Sequence, residues 1–156
     1  MDCRNNGEGT TEQRRHESDA GVCLDRGLIA SHYSPADKRF LLHLARQALE
    51  RVTTHGTLPD VVSSELPVQL TEPKACFITL TKSGRLRGCI GHIHAQEALY
   101  RAVMDNTRNA AQRDSRFAPI QSSELDQLAI EISVLTEPQP VAFASPQELL
   151  DKLRPH

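Results

Sequence analysis

The stretch ACFITLTKSGRLRGCIGHIH, residues 75–94, decides how the rest of this 156-residue chain is arranged. Residues 76–81 are apolar or β-branched, which favours an extended strand. Lys82, Ser83 and Gly84 supply a turn, with Gly84 free to take positive φ. Residues 85–90 then return as a second strand. A hairpin of this kind is antiparallel by construction.

Helices flank the hairpin. Before it, Ser34 offers an N-cap, Pro35 suits the first turn and Asp37 completes a capping box. Leu41, Leu44, Ala45, Ala48, Leu49 and Val52 recur at three-and-four spacing as far as Gly56, a helix stop. Residues 57–73 are punctuated by Pro59, Pro67 and Pro73 and read as loop with short extended pieces. After the hairpin, the pattern predicts a second helix over 96–113 and a helical turn near 123–128. LAIEISVL (128–135) alternates as a strand, with Leu128, Ile130, Ile132 and Val134 on one face and Glu131 and Ser133 on the other. A last helix starts at Ser145. The order implies an α+β domain with a mainly antiparallel sheet. Residues 1–33 are polar, carry only the small apolar patch of Val22, Leu24, Leu28 and Ile29, and read as a disordered tail. The domain is expected over 34–156.

Composition narrows the function classes. Hydrophobic residues make up 38% and aromatics 4% of the chain, so aliphatic packing supplies the core. Lys plus Arg number 18 against 20 Asp plus Glu, a net charge of −2, which gives the whole body no attraction for nucleic acid or an anionic membrane. Arg108, Arg113 and Arg116 alternate with Asp105 and Asp114 and read as a salt-bridged surface. The start of the chain has no apolar core of a signal peptide, and no run is long enough to span a bilayer. Cys3, Cys23, Cys76 and Cys89 show no C-x-x-C spacing. A cytoplasmic protein with reduced thiols is the expectation.

Candidate chemistry concentrates in LRGCIG, residues 86–91. On a regular strand Leu86 and Ile90 face the core, and Arg85, Arg87 and Cys89 face the other way. Gly88 and Gly91 leave the backbone bare, so a small cleft beside Arg87 and Cys89 is expected. A guanidinium beside a thiol favours the thiolate, and His92 or His94 could serve as its base. The plainer alternative makes Cys89 a small core residue and pairs Arg87 with a carboxylate such as Glu131. His92 and His94 share a strand face, but a third metal ligand from Cys89, Asp105 or Asp114 has no spacing rule behind it. No metal and no cofactor are expected.

With these residues in place, the chain resembles the AMMECR domain family, whose bacterial and archaeal members are called AmmeMemoRadiSam system protein A. LRGCIG carries the resemblance, supported by CFITLTKSGRLRGCIG before it and AAQRDSRFAPIQSSELDQLAIEISVLTEPQPV after it. The resemblance implies a two-lobed α+β fold, antiparallel sheets flanked by helices, and a cleft between the lobes. It implies that Leu86, Arg87, Gly88, Cys89, Ile90 and Gly91 line that cleft, with Arg113, Asp114, Arg116 and Phe117 in support. It implies a protein or other large ligand and work alongside a Memo-like protein and a radical SAM enzyme. It further implies that the C-terminal part of the family domain lies beyond His156. A rival reading makes Cys89 the nucleophile of an enzyme that modifies proteins or small molecules.

Overall fold

The computed structural model describes residues 33–153. The expected tail and its apolar patch lie outside the described residues. Helix α1 (Pro35–His55) opens with the anticipated capping box. The Asp37 amide donates to Ser34 Oγ at 3.1 Å, and the Ser34 amide donates to the Asp37 carboxylate at 2.8 Å. It closes on Gly56 at φ 72, the left-handed cap for which a glycine is best suited. A 3-10 turn (Ser63–Glu65) and a short helix α2 (Val68–Thr71) punctuate the proline-rich connection.

Strands β1 (Ala75–Lys82) and β2 (Arg85–Gly91) form the hairpin. Its turn is tighter than the sequence suggests. Lys82 belongs to the ladder opposite Arg85, and only Ser83 (φ 50) and Gly84 (φ 75) turn. Two successive positive φ values suit the right-handed twist of the strands. Helix α3 (Leu99–Gln112) follows, then a 3-10 helix (Ser122–Gln127), β3 (Leu128–Leu135) and α4 (Pro146–Lys152). The sheet is antiparallel throughout, in the order β2–β1–β3, so β1 is central and β2 is an edge.

Helix α3 starts three residues later than the periodicity predicts. The preceding residues are tied to the approach to β1 instead: the Lys74 amide donates to Glu97 O at 3.2 Å, and the Leu99 amide to Glu72 O at 2.9 Å. Those backbone bonds hold residues 97–99 until the helix can begin.

Both long helices pack on one face of the sheet. Leu41, Ala45, Leu49 and Val52 of α1 and Leu99, Val103 and Ala110 of α3 meet Cys76, Ile78 and Leu80 of β1 and Leu128 and Ile130 of β3. Asn106 is fully buried among them, and its amide nitrogen donates to the Cys76 carbonyl at 3.1 Å. Burial pushes the Cys76 thiol up to about 11.

A β-bulge in β2 changes which side chains share a face. Leu80 faces Gly88 and Thr81 faces Leu86, so Arg87 is the extra residue. Past the bulge the parity shifts. Ile90 stays with the core, as expected, but Leu86 does not: it sits on the opposite face, 43% exposed. Gly88 occupies the core-facing position. A Cβ there would overlap the carbonyl oxygen of Ala110 in α3. Helix α3 can therefore lie directly on the β2 backbone only because residue 88 has no side chain.

Gly88→Ala is expected to lower unfolding stability by about 1–3 kcal/mol, the usual cost of overfilling a packed contact. Urea denaturation measures it, and a variant as stable as the parent would contradict this packing.

Candidate functional site

The bulge separates the two groups that the sequence places side by side. Arg87 turns to Glu124, a partner the sequence reading missed. Its Nε donates to Oε1 at 3.1 Å and its Nη2 to Oε2 at 3.0 Å, a two-pronged pair. Its Nη1 donates to Ala118 O at 2.8 Å. Lys82 and the Gln121 amide also reach Glu124, each at 3.1 Å. With the Arg87 guanidinium as the main cause, the Glu124 carboxyl is held down at about 2. Glu131, the acid named from sequence, lies on β3 opposite Thr79 and makes no ion pair with Arg87. The legible clue to Glu124 was its place as third residue of the turn that Gln121 caps.

Cys89 is half-buried, and its Sγ lies 3.3 Å from Thr79 Oγ1 across the strand pair. Its main chain is held from the outer edge of β2. The Cys89 amide donates to Asp114 Oδ2 at 2.8 Å. The Cys89 carbonyl accepts from Arg116 Nη2 at 3.1 Å. Arg116 in turn grips Asp114, with Nε to Oδ1 at 2.9 Å and Nη2 to Oδ2 at 2.7 Å. The Arg116 amide adds a bond to Oδ1 at 3.1 Å. The Asp114 side chain is only 4% exposed, while the Arg116 side chain that grips it is 54% exposed. Its carboxyl is held far below the usual carboxylate range, first by the Arg116 side chain and then by the Cys89 and Arg116 amides, against the opposing effect of burial.

A carboxylate and a guanidinium thus offer Cys89 the acceptor and donor that a neighbouring strand would offer. The turn that carries them is closed by the Phe117 amide, which donates to Asp114 O at 3.0 Å, and Arg116 lies over the Phe117 ring at 5.5 Å. Arg113 stays outside this unit, exposed, its side chain reaching only Asn109 at 3.5 Å.

At both glycines the side-chain direction is already filled. Ala110 fills the space at Gly88, and the Phe77 ring and Cys76 carbonyl fill it at Gly91. Both are close-approach glycines. What faces outward from the hexapeptide is Leu86 and Cys89. His92 and His94 follow β2, with no hydrogen bond to Cys89, and no group of three His, Cys, Asp or Glu among the described residues can hold a metal. Arg108 pairs with Asp105 at the surface, whereas Arg116 pairs with the buried Asp114 and Arg113 has no ion pair among the described residues. No helix among the described residues is long and apolar enough to cross a membrane.

The fold is that of an α+β domain whose edge strand is locked by an acid–arginine pair from the loop after α3. The AMMECR1 family profile matches residues 42–156, and the chain belongs to the AMMECR1 family. A relative from Methanosarcina acetivorans is 38% identical over 117 residues, covering 74% of this chain and 58% of its own length. Another, from Methanothermobacter thermautotrophicus, is 36% identical over 128 residues, covering 78% and 65%. The crystal structure of an uncharacterised protein from Pyrococcus horikoshii superposes with a TM-score of 0.68 at 33% identity, covering 73% of this chain and 58% of that one. The chain therefore spans less than two thirds of the length of these relatives.

Asp114→Asn is expected to cost about 2 kcal/mol at pH 7, through weakened charge-assisted bonds to Arg116 and Cys89. Asp114 and Glu124 both have folded values below the unfolded ones, so their contributions are complete above about pH 5 and fade as pH falls; for Glu124 the loss runs down through about 2. Urea midpoints of parent and Asp114→Asn should converge in acid. A gap that stays constant from pH 7 to pH 3 would contradict the assignment.

Proposed function

We propose that this chain is a binding module. It takes a protein or other sizeable ligand beside the LRGCIG strand, in the cleft the family resemblance implies between two lobes, and acts with a Memo-like protein and a radical SAM enzyme. One observation supports this reading best. The acid–arginine pair of the Arg-Asp-x-Arg segment fixes the Cys89 backbone while leaving the Cys89 and Leu86 side chains on the face that α1 and α3 do not cover. A rigid edge strand with an open face suits recognition.

The rival, an enzyme with Cys89 as nucleophile, has less behind it. Arg87 is committed to Glu124, and among the described residues the Cys89 sulfur has a hydroxyl neighbour, Thr79, and no histidine base.

The test is direct. Purified Memo-like protein and radical SAM enzyme from the same genome, passed over the immobilised full chain, are expected to be retained, and Leu86→Asp is expected to reduce that retention at least tenfold. Retention of neither protein by the parent chain contradicts the partnership.

A further inference from the structure

The face of the sheet opposite α1 and α3 carries a row of three unlike functional groups. Thr79 on the central strand has Cys89 as its register partner on β2 and Glu131 as its partner on β3. Thiol, hydroxyl and carboxylate therefore lie side by side across the sheet. Neighbouring strands are about 4.8 Å apart, so the thiol and carboxylate strands stand about 10 Å from each other. Phe77 and Ser133 form the adjoining row, with the Phe77 ring leaning into the space that Gly91 leaves.

Glu131 is the unbalanced member. It is half-buried, its one side-chain hydrogen bond among the described residues comes from the Ser133 hydroxyl at 3.5 Å, and among those residues no Lys, Arg or His forms an ion pair with it. Each carboxylate that the loop after α3 presses on the sheet, Asp114 and Glu124, does have a cation. A partly buried carboxylate without a cation favours a ligand that brings one.

We infer that this face docks a polypeptide segment which presents a Lys or Arg side chain to Glu131, with its backbone running over Thr79 toward Cys89. The mixture of Phe77 and Leu86 with hydroxyls and a single acid matches an apolar patch with a polar anchor, as protein interfaces have. The inference rests on the proposed binding role for the existence of a partner, but the face itself is testable without one.

The full chain with Cys3→Ser and Cys23→Ser leaves Cys89 and the buried Cys76 as thiols. Two reagents of opposite charge, trimethylammonioethyl and sulfonatoethyl methanethiosulfonate, then report the field at Cys89. The thiolate attacks the sulfenyl sulfur, a mixed disulfide forms and methanesulfinate leaves. At low ionic strength, Glu131→Gln is expected to lower the cation-to-anion rate ratio about threefold, as a unit charge some 10 Å away would. An unchanged ratio, or a Cys89 that reacts only after unfolding in urea, overturns the inference. In a second arm, a short peptide of alternating Thr and Lys is expected to slow labelling of the parent but not of Glu131→Gln. Equal protection by a control peptide of alternating Thr and Glu removes the role of Glu131. Equal protection by spermidine overturns the choice of a polypeptide. Each of these outcomes is independent of whether the Memo-like and radical SAM proteins bind.

Discussion

A buried carboxylate at the edge of a sheet is the constraint on which the rest of this structure depends. Edge strands leave backbone donors and acceptors unpaired, and those groups must find partners when they are taken out of water. At Cys89 the partners are side chains. Asp114 accepts from the amide and Arg116 donates to the carbonyl, and the two are bonded to each other. The cost of burying the charge of Asp114 is offset because every one of its bonds comes from an N–H donor, three of them on Arg116. The loop after α3 is thereby fixed along β2, and Arg87 repeats the fixing further along through Ala118 and Glu124.

The same edge explains why glycines stand at 88 and 91. At both positions the side-chain direction is filled by a neighbour. One admits the Ala110 carbonyl of α3, the other the Phe77 ring and the Cys76 carbonyl. The hexapeptide is a packing device on three sides. Helix α3 sits against Gly88, the Arg-Asp-x-Arg turn against the Cys89 backbone, and β1 along the ladder. The face that α1 and α3 leave uncovered carries Leu86, Cys89, Thr79 and Glu131.

Much of this was legible in the sequence. Capping residues Ser34 and Asp37, the stripe of α1 and the clean alternation of 128–135 state their elements directly, because local chemistry and burial agree there. The two segments named through the family resemblance also meet, at Cys89 and the Asp114–Arg116 turn. The arrangement within them was not legible. Strict alternation puts Arg87 beside Cys89 and Leu86 in the core, whereas a one-residue bulge reverses both. Glycines in RLRGCIG mark a bulge or a close backbone approach, but they do not say which residue is the extra one or how the faces are reassigned. Glu124 and Glu131 are equally good partners for Arg87 on paper, and only the three-dimensional path of the 113–127 segment chooses between them. Thr79 drew no notice because a threonine in a strand is ordinary; its significance comes from register with two other strands.

The most direct measurement of the central claim is hydrogen exchange at the Cys89 amide in the native chain near neutral pH. The bond to Asp114 predicts slow exchange, comparable to amides of the central strand β1, although β2 has no strand on its outer side. Exchange at the rate of an unprotected peptide, while the β1 amides stay protected, would contradict the account.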